Sequence, residues 1–116
     1  MYGLPVDFDA SAFVGHAMVQ VTFTQNTVGL SFDGDIEITL LSSFRLRNAS
    51  GEESQTVPVG SSTIMLLLGV TVRSAEARKD GTLTLVFDDE STLVLPDDSK
   101  QYESYHLRIG TREIYV

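Results

Sequence analysis

Apolar and polar residues alternate along most of this chain, and the alternation comes in two matching passages. Val28-Gly29-Leu30-Ser31-Phe32-Asp33-Gly34-Asp35-Ile36-Glu37-Ile38-Thr39-Leu40 aligns without a gap on Leu83-Thr84-Leu85-Val86-Phe87-Asp88-Asp89-Glu90-Ser91-Thr92-Leu93-Val94-Leu95. Each passage reads as strand, Phe-Asp turn, strand, because period-two alternation puts every second side chain on one face of a sheet. Phe44-Arg45-Leu46-Arg47 then matches Tyr105-His106-Leu107-Arg108, after a longer loop in the second copy. Gly15 and Gly69 each open a strand upstream. An internal repeat of this kind constrains a fold more tightly than any single segment.

The remaining elements follow from the same pattern. Ala17, Val19, Val21 and Phe23 alternate with polar residues and Met18, giving a strand that Gln25-Asn26-Thr27 turns. Asp33-Gly34 is a hairpin signal, since tight primed turns need residues that accept positive φ. Asn48 to Glu53 reads as a polar loop. Val57-Pro58-Val59-Gly60 breaks regular structure, and Ser61-Ser62-Thr63 can cap a short helix running through Leu68. That helix would be apolar on nearly all sides and therefore interior, with a strand as the competing assignment. Pro96 to Lys100 is a loop, Tyr102 to Ile109 a strand, and Glu113 to Val116 a last strand. Residues 1–12 form an arm that Phe8 can pin to the core. The expected fold is mainly β (α+β): two pseudo-symmetric antiparallel β-meander repeats, about 14–47 and 69–109, with one short connecting helix. One meander cannot bury its apolar face alone, so the two are expected to stack or join within a single domain, 1–116.

Composition narrows the function more than the fold. A chain of 116 residues with no cysteine excludes a disulfide framework, a thiolate metal site and a cysteine nucleophile. Sixteen Asp and Glu against eight Lys and Arg leave a net charge of −8, which repels nucleic acid and anionic lipid and suits a basic protein partner or simple solubility. The first residues have no basic region followed by an apolar stretch, so no signal peptide is expected. The longest apolar run, Ile64 to Val70, falls far short of the ~20 residues that span a bilayer. The expectation is a cytoplasmic protein that meets no membrane.

Candidate chemistry is sparse. Asp33-Gly34-Asp35 and Asp88-Asp89-Glu90 resemble fragments of a calcium loop, but the alternating donors and terminal glutamate of a full loop are missing, and turn chemistry accounts for the acids. His16 and His106 stand far apart with no ligand spacing around them. Asn48-Ala49-Ser50 fits a glycosylation sequon in a polar loop. No nucleophile elbow, phosphate loop or paired-histidine metal motif occurs, so the chain is expected not to be an enzyme and to need no cofactor and no metal. The residues expected to meet a partner are Asp33, Asp35, Asp88, Asp89 and Glu90 at the two matching tips. Tyr102 and Tyr105 join them: they fall on opposite faces of one strand, one for the core and one for an interface.

The segment Gly81 to Pro96, followed by Tyr102-Glu103-Ser104-Tyr105-His106-Leu107, resembles a family of small, functionally uncharacterised bacterial β-rich proteins with a Gly-x-Leu-x-Leu-x-Phe-Asp strand pair and a Tyr-Glu-Ser-aromatic strand. The first half resembles that family's weaker N-terminal copy. Two departures are Asp88-Asp89 where the family has Asp-Gly, and Tyr105 where it often has Trp. Such proteins are suspected to be immunity proteins, so the resemblance implies a non-catalytic protein that binds and inhibits a basic toxin. The alternative is a small self-associating structural or ligand-binding domain whose charge serves solubility.

Overall fold

The computed structural model describes residues 3–99 and 103–116. It contains β1 (Met18–Phe23), β2 (Val28–Phe32), β3 (Ile36–Leu40), β4 (Ser43–Asn48), β5 (Gly51–Thr56), β6 (Val72–Ala77), β7 (Leu83–Phe87), β8 (Thr92–Leu95), β9 (Tyr105–Ile109) and β10 (Arg112–Tyr115). These strands make two five-stranded antiparallel sheets, ordered β1-β2-β3-β9-β10 and β5-β4-β8-β7-β6. The inner faces of both sheets contribute to one apolar core, including Leu30, Ile38 and Leu107 from the first and Leu85, Leu93 and Leu46 from the second. Phe32 and Phe87 hold equivalent places beside the bulges that open β1 and β6, and both are buried.

The two copies do not fold as separate meanders. Each contributes three strands to one sheet and its last hairpin to the other, so β4 pairs with β8 and β9 pairs with β3. The exchange is symmetric at the level of single residues. Ile38 faces Leu107 and Leu46 faces Leu93, which is one cross-strand pair with the copies swapped. A pseudo-dyad passes where Ala17 bridges Thr71, its own counterpart in the repeat. Around it the backbone bonds come in twins. Gly15 N–H donates to Val72 O at 2.9 Å and Gly69 N–H to Met18 O at 2.7 Å. Val72 N–H donates to His16 O at 2.9 Å and Met18 N–H to Val70 O at 3.1 Å. Gly15 and Gly69 have φ of 88° and 83°, a left-handed turn that only glycine takes without strain, and this is why a glycine precedes each copy's first strand.

Two expectations are corrected. The segment around Ile64–Leu67 is a single 3-10 turn of four residues. Ile64 and Leu67 are buried, while Met65, Leu66 and Leu68 are exposed, so it is not an interior helix. A 3-10 turn places i and i+3 on one side, which satisfies the same spacing with one turn. Its counterpart is a second 3-10 turn, Ala10–Phe13, in the expected arm; Asp9 caps it by accepting from Ser11 N–H at 3.0 Å, and Phe13 packs edge-on against Phe32. The second correction is β5, expected as loop. It is an edge strand whose core-side positions hold Glu53 and Gln55, across from Leu46 and Phe44.

Glu53 is polar where the other copy has Ile114, which faces Leu107 and is buried. The carboxylate is satisfied by the loop after β5 and by its neighbour Gln55 on the same strand. Ser62 Oγ, Thr63 N–H, Thr63 Oγ1 and Gln55 Nε2 all donate to it. Burial alone would raise the Glu53 pKa, but these hydrogen bonds outweigh it and hold the group down at about 2. An inward charge on an edge strand also discourages pairing with another chain.

Because the folded-state pKa of Glu53 is depressed, its contribution is complete above the unfolded value and is lost as pH falls from about 4.5 toward 2. Urea midpoints of the parent should drop through that window, and Glu53→Gln should show a shallower slope there. At neutral pH Glu53→Ala should cost roughly 1–3 kcal/mol, since it strips partners from several donors. Identical pH slopes for parent and Glu53→Gln would mean that Glu53 does not latch the edge.

Candidate functional site

Four loops crowd the end of the domain that carries the Ala17–Thr71 bridge. They are the β2–β3 tip, the β7–β8 tip and the short turns after β4 and β9. The tips are anchored to the dyad itself: Asp33 N–H donates to Ala17 O at 3.0 Å and Asp88 N–H to Thr71 O at 2.9 Å. Since Ala17 and Thr71 pair with each other, both acidic tips flank one bridge and their charges sum over one pole. Asp35 and Glu90 occupy matching positions with φ of 63° and 73°. Positive φ at the end of such a loop turns the chain back into the next strand, and aspartate tolerates it better than glutamate.

Four of the five tip acids are already engaged. Asp33 Oδ1 lies 2.7 Å from His16 Nδ1, and Asp33 Oδ2 accepts from Ala17 N–H. The hydrogen bonds from His16 and then from Ala17 hold its carboxyl below the usual range. Asp35 accepts from Arg108 Nη1 at 2.8 Å, and Glu37 in β3 takes the other guanidinium nitrogen. The hydrogen bonds to Asp35 and Glu37 push the Arg108 pKa upward. Asp89 accepts from Ser91 N–H at 2.9 Å, closing its own turn. Glu90 is held in a two-pronged contact by Arg73 at 3.0 and 3.2 Å, which lowers its pKa. The Asp88 carboxylate alone among the five has no hydrogen-bond or ion-pair partner among the described residues, because Val70 stands where the first copy has His16. All five remain exposed.

Tyr105 is not available to a partner. It is 1% exposed, and its hydroxyl donates to Gly81 O at 2.6 Å across the core, from a strand of one sheet to a turn of the other. Burial, followed by the nearby Asp97 and Asp80 charges, raises its pKa. Its counterpart Phe44 fills the other copy's place without a hydroxyl. The expectation that one of the two tyrosines is core is met by Tyr105; Tyr102 lies outside the described residues. The histidines each meet a carboxylate. His16 meets Asp33, and His106 Nε2 lies 3.3 Å from Glu113 Oε1 without hydrogen-bond geometry, its ring stacked on Tyr115 at 4.3 Å. Both pairs sit at the surface, with the carboxylates about half exposed. Among the described residues no group of three or more His, Asp or Glu side chains is placed to hold a metal ion. No helix among them is long and apolar enough to cross a membrane.

A β-carbon at Gly34 would collide with the His16 ring, and Gly34 has φ of 76°. Gly34→Ala should therefore lose roughly 1–2 kcal/mol from backbone strain alone and should also push His16 off Asp33. Urea denaturation should show a smaller cost in a His16→Ala background, where only the strain remains. Equal costs in both backgrounds would mean that the ring does not pack on the tip.

Two comparisons found nothing: no curated protein and no solved structure matches this chain. A model described as a family of unknown function, DUF6188, matches residues 10–116, and the chain belongs to that family. The family's description assigns no activity.

Proposed function

We propose that this member of the DUF6188 family is a non-catalytic protein-binding domain, and that it acts as an immunity-type inhibitor by presenting its acidic pole to a basic toxin. The observation that carries this reading is the tethering of both acidic tips to one backbone bridge. Asp33, Asp35, Glu37, Asp88, Asp89 and Glu90 share a pole on which Arg73 and Arg108 are already engaged. Surface ion pairs of this kind contribute little to stability. The excess negative charge is what a basic partner meets first, and complementary charge raises association rate more than affinity.

The His16–Asp33 contact is the geometry a general base would need, since a carboxylate can orient an imidazole. Here the pair stands on a solvent-facing tip, with side chains 33% and 53% exposed, and no nucleophile contacts it among the described residues. Its role in this reading is to brace the tip. The cytoplasm remains the expected compartment, where such an inhibitor would protect the cell that makes the toxin.

Association with the partner, once isolated from the source cell, should slow as salt rises, because the Debye length shrinks from about 10 Å at 0.1 M to about 3 Å at 1 M. Replacing Asp35, Asp88, Asp89 and Glu90 by Asn or Gln should slow association further while the dissociation rate changes less. His16→Ala should retain inhibition. An association rate indifferent to salt and to these replacements would assign the acids to turn formation and solubility, and would favour the self-associating or ligand-binding alternative.

A further inference from the structure

The pseudo-dyad makes each surface residue comparable with its counterpart, and one pair differs in a telling way. Arg108 and Arg47 are equivalents. Arg108 is clamped by Asp35 and Glu37, and also donates to Gly110 O at 3.0 Å. The counterpart of Glu37 is Thr92, the residue that faces Arg47 across the strands. The counterpart of Asp35 is Glu90, and Arg73 holds it in a two-pronged contact. The first copy has Val19 where the second has Arg73, so no such competitor exists there. Two substitutions thus leave Arg47 without the carboxylates that its twin enjoys.

The next arginine is open for a similar reason. Arg45 corresponds to His106, whose ring is covered by Tyr115, but the counterpart of Tyr115 is Ser54. Arg45 and Arg47 are exposed on the outer face of β4, and neither has a hydrogen-bond or ion-pair partner among the described residues. Together with Leu46, Glu52, Glu53, Ser54, Thr92 and Val94 they line a shallow depression of about 230 Å³. Glu52 faces Arg47 across the hairpin yet forms no ion pair with it. Arg45 and Arg47 thus stand on one face of β4 without a carboxylate contact among the described residues, on a chain of net charge −8.

We propose that Arg45 and Arg47 form a receptor for the side-chain carboxylates of an acidic segment of a partner protein. The chemistry of the occupant follows from the twin site: Arg108 shows that this position of the fold binds two carboxylates at once, and a guanidinium fork matches carboxylate geometry. Val94 and Thr92 supply a floor for the aliphatic stems. The chain's overall charge repels a polyanion at long range, but screening confines that field to about 8 Å at physiological salt, so the local pair governs contact. The proposal does not rest on the reading of the acidic pole, since none of the residues it invokes is a tip acid, although Arg47 also lies beside Asp89 and Glu90.

The test uses fluorescein-labelled hexaglutamate and fluorescence anisotropy at physiological ionic strength, where the chain's long-range repulsion is screened. The parent should bind it saturably. Arg45→Gln/Arg47→Gln should weaken binding about tenfold or more, as expected for loss of charge-assisted hydrogen bonds. Thr92→Glu should weaken it comparably, because it rebuilds the carboxylate that Glu37 supplies in the twin and closes the site from within. Arg78→Gln, which removes an arginine paired with Glu76 elsewhere on the same sheet, should bind like the parent. Urea midpoints near the parent's confirm that each variant is folded. No saturable binding by the parent, binding unchanged in the double variant, or an equal loss in Arg78→Gln would overturn the proposal. So would binding of inorganic phosphate with the same dependence on variants while the peptide fails to bind, which would make the site one for a free anion.

Discussion

Everything in this structure depends on the exchange of hairpins about the Ala17–Thr71 bridge. Neither copy completes a sheet. β3 needs β9 and β8 needs β4, so the middle of each sheet is a contact between the two halves of the chain. The buried residues on these strands, Ile38 against Leu107 and Leu46 against Leu93, lie at the centre of the core. A three-stranded piece and a detached hairpin leave most of their apolar faces wet, and such fragments are marginal in water. The dyad also creates the acidic pole, because it brings both tips to the same backbone bridge.

Against that symmetry, the places where the copies differ stand out. Glu53 replaces Ile114 and turns an ordinary edge into one latched by the Ser62–Thr63 loop. His16 replaces Val70 and braces one tip, whereas the Asp88 carboxylate on the other has no hydrogen-bond partner among the described residues and feels only the charge of Arg73. Thr92 replaces Glu37 and Arg73 replaces Val19, which together release Arg47. The core pairs keep their apolar character while these surface and edge positions change, as expected where one scaffold serves two different faces.

Much of this was legible in the chain and some was not. The repeated Phe-Asp tips and the alternation on either side of them located β2 to β4 and β7 to β9, because each has one buried face; β1 and β6 were located too, but Met18 and Val72 are their only buried residues, and Val19 and Phe23, expected on the apolar face of β1, are exposed. Strand β5 was hidden: Glu52, Glu53, Ser54 and Gln55 offer no apolar period, and its core-side partners come from a loop. The helix expected near Ile64 was overlong, since two buried residues three apart fit one 3-10 turn as well as a helix. The hairpin exchange could not be read from local pattern, for pairing between β3 and β9 is non-local and leaves no mark on either strand alone. That one of Tyr102 and Tyr105 belongs to the core was legible from their opposite faces, but which one was not, because a buried tyrosine needs a partner for its hydroxyl, and Gly81 O gives no sequence signal. Arg47 could have been found by asking which charges around the matched Arg47 and Arg108 fail to repeat.

The most direct test of the exchanged architecture is to divide the chain between residues 59 and 60 and follow far-UV circular dichroism and mass in solution. Each half holds three strands of one sheet and the hairpin that belongs to the other. Alone, both fragments should be largely unfolded; mixed in equal amounts, they should form a one-to-one complex with the β spectrum of the intact chain. If either fragment folded cooperatively by itself and ignored the other, the copies would be independent meanders, and a core and an acidic pole shared between them would be contradicted.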